Sequence, residues 1–204
     1  GALVVTGLPE RLPKDLQGIP DNLLALRDIQ IQNDTILTDN IDSNAPTTRT
    51  VNGQVNPVLQ GQPGCTQLLR IGGWSPDIWY TLKMDGAKFY VIAEDANPVT
   101  TVQAHDTLLV PPGKRFDVLV TWPKAGTYHL RTMPMTTGPE GDQYPETVLA
   151  TWTVGGDAVA PVAMPQDMGK LPAELMNTMD KDPIAKKREV VLSEDNAAGK
   201  FMIN

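Results

Sequence analysis

Cysteine is all but missing from this sequence: there is one, Cys65, in 204 residues. A single thiol excludes any disulfide within the chain. Set between Gly64 and an apolar segment, it reads as a buried, inert side chain. Basic residues are too few to balance the acids, with 17 Lys and Arg against 24 Asp and Glu, a net charge of -7 and a pI near 4.8. That balance speaks against a nucleic-acid partner, because affinity for a phosphate backbone rests on clustered cations. The densest basic cluster, Lys186, Lys187 and Arg188, is short and reads as a solvated strand entry. No continuous apolar stretch approaches the ~20 residues needed to cross a bilayer, so no membrane span is expected. The charged and apolar regions of a signal peptide are also lacking. Gly1-Ala-Leu-Val-Val5 reads instead as a strand already under way, and Lys200-Phe-Met-Ile-Asn204 stops on an apolar run, so both ends read as cut.

What the chain does have is punctuation. Eighteen prolines and seventeen glycines separate short apolar runs, the pattern of an all-β sandwich or barrel rather than of an α/β fold. After a Pro-rich connector, residues 23–31 read as the first strand of the body. Asp85-Gly86 is expected to form a type I′ hairpin turn that pairs residues 78–84 with 87–93. Alternation places Phe116, Val118, Val120 and Trp122 on one face of a strand over 115–122. It does the same for Tyr128 and Leu130 in 127–133, and for Val148, Ala150, Trp152 and Val154 in 146–154. Pro111-Pro-Gly113, Pro123-Lys-Ala-Gly126 and Gly138-Pro-Glu-Gly141 supply the turns.

Beyond Gly155-Gly156 the alternation dissolves into a segment rich in Ala, Pro, Met and acids, with one short helix expected over 171–179, and a strand resumes over 188–193. The resulting division is 1–22 as the end of a preceding domain and a connector, 23–155 as a central domain, 156–187 as an interdomain linker, and 188–204 as the start of a following domain.

Four segments fall in a recognisable order: Val51-Asn-Gly-Gln54, Leu69-Arg-Ile71, Val91-Ile-Ala-Glu-Asp95 and Pro112-Gly-Lys-Arg-Phe-Asp-Val-Leu-Val120. Together they resemble the middle domain of multicopper oxidases of the laccase and copper-efflux type. The resemblance covers nearly the whole chain, the first residues looking like the strand that closes the family's first domain and Phe201-Met-Ile-Asn204 like the opening of its third. Two positions depart from the pattern: Gly73 stands where the family usually has Asn, and Ala96 where Gly often follows the Asp.

The resemblance implies a cupredoxin-like Greek-key β-sandwich or barrel. It implies a parent oxidoreductase that couples one-electron oxidation of a substrate to reduction of dioxygen to water, with copper in the parent. The family's trinuclear cluster takes eight histidines in His-x-His pairs, whereas this chain has two histidines and no such pair. The chain is therefore expected to be the copper-free scaffold, inactive in isolation, with no cofactor and no catalytic residue of its own. Its expected partners are the flanking cupredoxin domains, its location periplasmic or secreted, and exposed domain interfaces are expected to favour self-association.

The candidate chemistry within the chain is thin. Cys65, His105 and His129 with a Met could in principle form a type 1 copper site, but Cys65 precedes both histidines by tens of residues, the reverse of the cupredoxin arrangement. His129, alternating with Tyr128 and Leu130, should face away from the core, and His105 beside Asp106 reads as a surface residue. No motif supports a hydrolase. Asp85 belongs to a turn and Asp95, after Glu94, to a strand end. Met164, Met168, Met176 and Met179 cluster in the linker, and Met133 and Met135 flank Pro134. Soft thioethers can hold Cu(I), although packing against a neighbour is the preferred reading. Two rival readings stay open: a non-enzymatic secreted β-sandwich binding module, and a Cu(I)-handling domain acting through the four linker methionines.

Overall fold

A computed structural model describes residues 3–4, 6–37, 47–76, 78–136, 138, 143–169, 184, 186–195 and 200–203. The chain divides into two compact units, 1–169 and 170–204.

In the first unit two 3-10 turns, Pro9–Arg11 and Lys14–Leu16, precede the strands. In chain order these are β1 (Asp21–Gln32), β2 (Thr35–Ile36), β3 (Thr47–Val51), β4 (Val58–Gly61), β5 (Thr66–Gly73), β6 (Tyr80–Met84) and β7 (Phe89–Glu94). They continue with β8 (Asn97–His105), β9 (Thr107–Val110), β10 (Arg115–Thr121), β11 (Gly126–Met133), β12 (Met135–Thr136), β13 (Gln143–Tyr144) and β14 (Thr147–Val154). A seven-stranded sheet runs β2-β1-β5-β10-β7-β8, with β3 beside β1, and faces a five-stranded sheet ordered β4-β14-β11-β6-β9. Only β1 with β5 and β4 with β14 pair in parallel in these sheets. The expected all-β, cupredoxin-like Greek-key sandwich is what forms.

Period-2 patterning explains the main core. Phe116, Val118, Val120, Tyr128, Leu130, Trp152 and Val154 all enter the layer between the sheets, with Leu24, Leu26, Leu69 and Ile71 from β1 and β5. Trp122, fully buried just past the end of β10, has ring centroids 5.1 Å from Tyr128 and 5.4 Å from Trp152. Burying each such side chain contributes about 1.5–3 kcal/mol. On β14 the phase shifts: the register with β11 slips between Leu130 and Arg131, so Leu149 and Ala150 are both buried while Val148 is only partly so. The bulge adds one residue and overrides the simple alternation expected there.

The seven-stranded sheet is buried on its other face as well. Leu68, Ile92 and Leu119 form a second cluster with Leu12 and Leu16 from the entering segment and Met168 from the departing one. This is why β5, Thr-Gln-Leu-Leu-Arg-Ile-Gly-Gly, is buried along almost its whole length instead of at alternate positions.

Asp85-Gly86 does not form the expected hairpin. β6 belongs to the five-stranded sheet and β7 to the seven-stranded one, so the turn crosses between layers and pairs nothing. Only Gly86 has a positive φ there, +72°, whereas a type I′ turn needs two such residues. The Ala87 amide still donates to the Met84 carbonyl, at 3.4 Å. Paired left-handed residues occur instead at Asn33-Asp34, Asn52-Gly53 and Asp95-Ala96.

At the N-terminus, Leu3 and Val4 belong to no strand, and Leu3 is 91% exposed. The rest of that expected strand, residues 1, 2 and 5, lies outside the described residues. The second unit holds a hairpin, β15 (Leu192–Asp195) with β16 (Lys200–Ile203), in which Leu192 lies opposite Ile203. The strand expected from residue 188 thus begins at Leu192, where pairing with β16 begins. The expected helix over 171–179 lies outside the described residues.

Candidate functional site

The residues of the sequence motifs fasten neighbouring strands and turns to one another. Asn52, in the first, donates from Nδ2 to the Leu23 carbonyl at 2.7 Å and accepts the Ala25 amide on Oδ1 at 2.9 Å. It thereby extends the ladder of β3 past the point where that strand turns away. Arg70, in the second, forks onto Asp21 at the start of β1, with Nε and Nη2 each 2.8–3.0 Å from its oxygens. Two-point guanidinium–carboxylate pairing fixes geometry as well as charge. Asp117, in the fourth, is mostly buried close to Arg70, and burial pushes its carboxyl above the usual range although Arg70 pulls the other way.

The third and fourth motifs grip each other. Asp95 accepts Lys114 Nζ at 2.9 Å on one oxygen and the Arg115 amide at 3.0 Å on the other. Glu94 receives the same ammonium at 2.7 Å, and the ammonium lies 5.1 Å from the centroid of the Phe116 ring. Burial raises the Asp95 carboxyl, but the Lys114 and Arg115 contacts outweigh it and hold the group below the usual carboxylate range. By taking the Arg115 amide, this carboxylate ties the start of β10 to the turn that ends β7.

A second polar cluster sits at one end of the sandwich and left no signal in the sequence. Asp28 and Arg49 face each other across the β1–β3 ladder. The Arg49 guanidinium, only 7% exposed as a residue, donates to the Pro145 carbonyl at 2.9 Å and to Thr147 Oγ1 at 3.1 Å. Desolvation lowers its pKa. Nearby, Tyr80 shares a hydrogen bond of 2.9 Å with Ser75, and burial pushes its phenol up to about 12.

The potential copper ligands do not converge. Cys65 sits just ahead of β5, its carbonyl accepting the Trp122 amide, and is half-buried rather than buried because it precedes the doubly covered strand. Burial raises its thiol pKa, the opposite of what thiolate ligation favours. His105 lies opposite Phe89 on the edge strand β8. Three strand spacings of about 4.8 Å separate it from the line of β5, roughly 14 Å in all. His129 is on the other sheet, turned away from the core as alternation implies. Its Nδ1 lies 3.1 Å from Thr151 Oγ1, whose own hydrogen goes to Asn56 Oδ1 at 2.8 Å. That contact orients the imidazole along the outer face of its sheet. Donors sharing one metal lie within about 4 Å of each other, since each bond is near 2 Å. These three residues do not fit a copper ion. Among the described residues no group of three or more His, Cys, Asp or Glu could hold a metal.

Of the four linker methionines, Met168 is 4% exposed within the second apolar cluster and Met164 is half-buried against it. Met176 and Met179 lie outside the described residues. Met135 packs against the main core and accepts Thr81 Oγ1 at 3.8 Å; Met133 is half-buried on β11. Asp85 is held by Arg131 at 2.7 Å. Sequence reasoning missed the second cluster, although the four-residue spacing of Leu8, Leu12 and Leu16 was a signal for it.

Two facing sheets with these pairings form a cupredoxin-like sandwich. A family model for multicopper oxidases matches residues 20–154, and the chain belongs to the multicopper oxidase family. It is 36% identical over 91 residues to Laccase-15 of Oryza sativa subsp. japonica, a match covering 44% of this chain and 15% of that protein. Among solved structures it resembles the McoA multicopper oxidase 2F4 variant of the hyperthermophile Aquifex aeolicus, with TM-score 0.71 and 21% identity, over 91% of this chain and 41% of that one. A multicopper oxidase of Campylobacter jejuni, described as a metallo-oxidase, gives TM-score 0.67 and 20% identity over 91% and 42%. The laccase-like CueO of Ochrobactrum sp. gives 0.61 and 22% over 76% and 35%. At these identities the structural likeness shows the fold. The chain spans well under half the length of each relative.

Among the described residues no helix is long and apolar enough to cross a membrane.

Proposed function

We propose that this chain is the copper-free scaffold of a laccase-like multicopper oxidase, whose flanking cupredoxin domains carry the metal ligands. The parent couples one-electron oxidation of a substrate to reduction of dioxygen to water, in the periplasm or outside the cell. Copper would supply the redox chemistry there. What this chain's residues contribute is fixed geometry: Asn52, Arg70, Asp95 and Lys114 bind strands and turns to each other and leave no free acid, base or ligand set among them.

The observation that carries the reading is the separation of Cys65, His105 and His129 onto different elements. The test is copper loading of the 204-residue chain followed by metal analysis and an optical spectrum. The expected result is no stoichiometric tight copper and no intense band near about 600 nm, where a His2Cys copper site absorbs. One copper per chain with a blue band would overturn it. Competition for Cu(I) against a chromophoric chelator tests the methionines separately; the reading expects the chelator to keep the metal.

A further inference from the structure

Two stretches far apart in sequence share one apolar patch. The entering segment lays Leu8, Leu12, Leu16 and Ile19 over the outer face of the seven-stranded sheet, and the departing segment lays Val162, Met164 and Met168 over the same face. Leu68, Ile92 and Leu119 lie beneath both, with Tyr90, Val99 and Val102 at the margin. Leu16 is 0% exposed and Met168 4%.

The departing segment is also stitched down along its course. The Gly155 amide donates to the Gly61 carbonyl at 3.1 Å, the Val159 amide to Pro63 at 2.9 Å, and the Val102 amide of β8 to Gln166 at 2.8 Å. Gln62 Nε2 reaches the Asp157 carbonyl at 2.7 Å. At the crossing, the Val159 carbonyl oxygen lies where a Cβ on Gly64 would stand. Gln166 thus extends the sheet past its edge strand and delivers Met168 to the cluster.

We infer that this face is a coupling plate, through which the segment entering the domain and the segment leaving it hold each other down. Lifting either one exposes Leu68, Ile92 and Leu119 to water, so each segment's closed state depends on the other's. Met168 and Leu12 are the two keys of the arrangement, one from each segment. The linker methionine Met168 acts here by packing, its flexible thioether filling the gap between the segments. For its purpose the inference rests on the scaffold reading, since a domain that spaces its neighbours must fix where its chain enters and leaves; the coupling itself is a property of the chain alone.

Amide hydrogen exchange on the 204-residue chain tests it. Three amides report the two segments: Leu12 and Leu16, bonded to the Pro9 and Pro13 carbonyls, and Val102, bonded to Gln166. Leu69 and Val118, partners in the β5–β10 ladder, report the sandwich. Met168→Gln is expected to speed exchange at least tenfold at Val102 and also at Leu12 and Leu16, with Leu69 and Val118 changed less than twofold. Met168→Leu, which conserves volume, should leave all five within threefold. Faster exchange at Val102 with Leu12 and Leu16 unchanged overturns the inference, because the segments would then be independent. Equal acceleration at Leu69 and Val118 also overturns it, because the cluster would then open only with the whole sandwich. If Met168→Gln does not fold, Leu12→Ala read at Val102 decides by the same criteria, since coupling free energy is reciprocal. Copper loading, which tests the scaffold reading, takes no part in this experiment, so the two fail separately.

Discussion

Asp95 holds Lys114 Nζ at 2.9 Å with one carboxylate oxygen and the Arg115 backbone amide at 3.0 Å with the other. Two motifs of the family pattern are thereby joined by a single side chain. Asp95→Ala leaves the amide and the ammonium without it, and the expected loss of stability is about 1–2 kcal/mol, in line with hydrogen bonds to a charged group at a partly exposed site. The pH dependence follows from the depressed carboxyl. Ionised Asp95 stabilises the fold at pH values above the unfolded carboxyl's ordinary value near about 3.9. That contribution is lost as pH falls through the lower folded value. Urea midpoints from pH 6 down to pH 2 should therefore decline less in Asp95→Asn than in the parent chain. Equal slopes would show that Asp95 adds nothing to acid stability.

Ala96 follows it with φ at +69°, a left-handed conformation that costs an L-residue with a Cβ about 1 kcal/mol. It pairs with Asp95, at +48°, to make the two-residue turn between β7 and β8. Ala96→Gly removes the clash at the cost of extra freedom in the unfolded chain. The expected outcome is a gain of about 0.5–1 kcal/mol, or a rise of roughly 1–4 °C in Tm. A lower Tm for Ala96→Gly would mean that the methyl group matters more than the turn strain.

Much of the sandwich was legible because strands with one buried face announce themselves by period 2: Phe116, Val118 and Val120 on β10, Tyr128 and Leu130 on β11. What alternation could not carry was burial of the second face. Leu68, Ile92 and Leu119 are out of phase with the main core and looked like noise until Leu12, Leu16 and Met168 closed over them. Asp85-Gly86 misled for a related reason. Local turn chemistry fixes that the chain reverses, but not whether the next strand stays in the same sheet, which depends on where β9, β10 and β11 pair. The order of Cys65 ahead of both histidines was legible as the reverse of the cupredoxin arrangement, but order alone does not fix distance in the fold. The Asp28–Arg49 cluster had no pattern to betray it, because its members come from β1 and β3 and its acceptors from around β14.

Tyr80 gives an alkaline counterpart to Asp95. Its phenol is pushed up to about 12 by burial, against an ordinary value near 10. The neutral phenol is the favoured form in the folded chain, so its contribution is whole below pH 10 and is lost as pH rises from there through 12. Stability measured by denaturant midpoint should fall across that window. Tyr80→Phe should flatten the fall while lowering stability at pH 7 by about 1 kcal/mol, because the buried Ser75 hydroxyl loses its partner. An unchanged alkaline slope in Tyr80→Phe would assign the loss to other groups.

Two constraints fall on Gly64 at once. Its φ is +79°, and the Val159 carbonyl oxygen would lie 1.8 Å from an added Cβ. No side chain end can yield there, since the obstacle is backbone. Gly64→Ala must therefore move residue 64 or lift the departing segment at Val159 and break the bond from its amide to Pro63. The segment is the weaker side: Gly64 is tied to the sandwich by its own amide, which donates to the Trp122 carbonyl at 2.7 Å. The expected result is a loss of about 1–3 kcal/mol, with amide exchange at Val159 accelerated more than at Trp122. Gly61→Ala is the comparison, because its Cβ would press on the Trp122 ring at 2.9 Å inside the core instead. It should lower Tm without selective exposure of Val159. If both variants release Val159 equally, the segment is held by the core as a whole and the close crossing at Gly64 contributes nothing of its own.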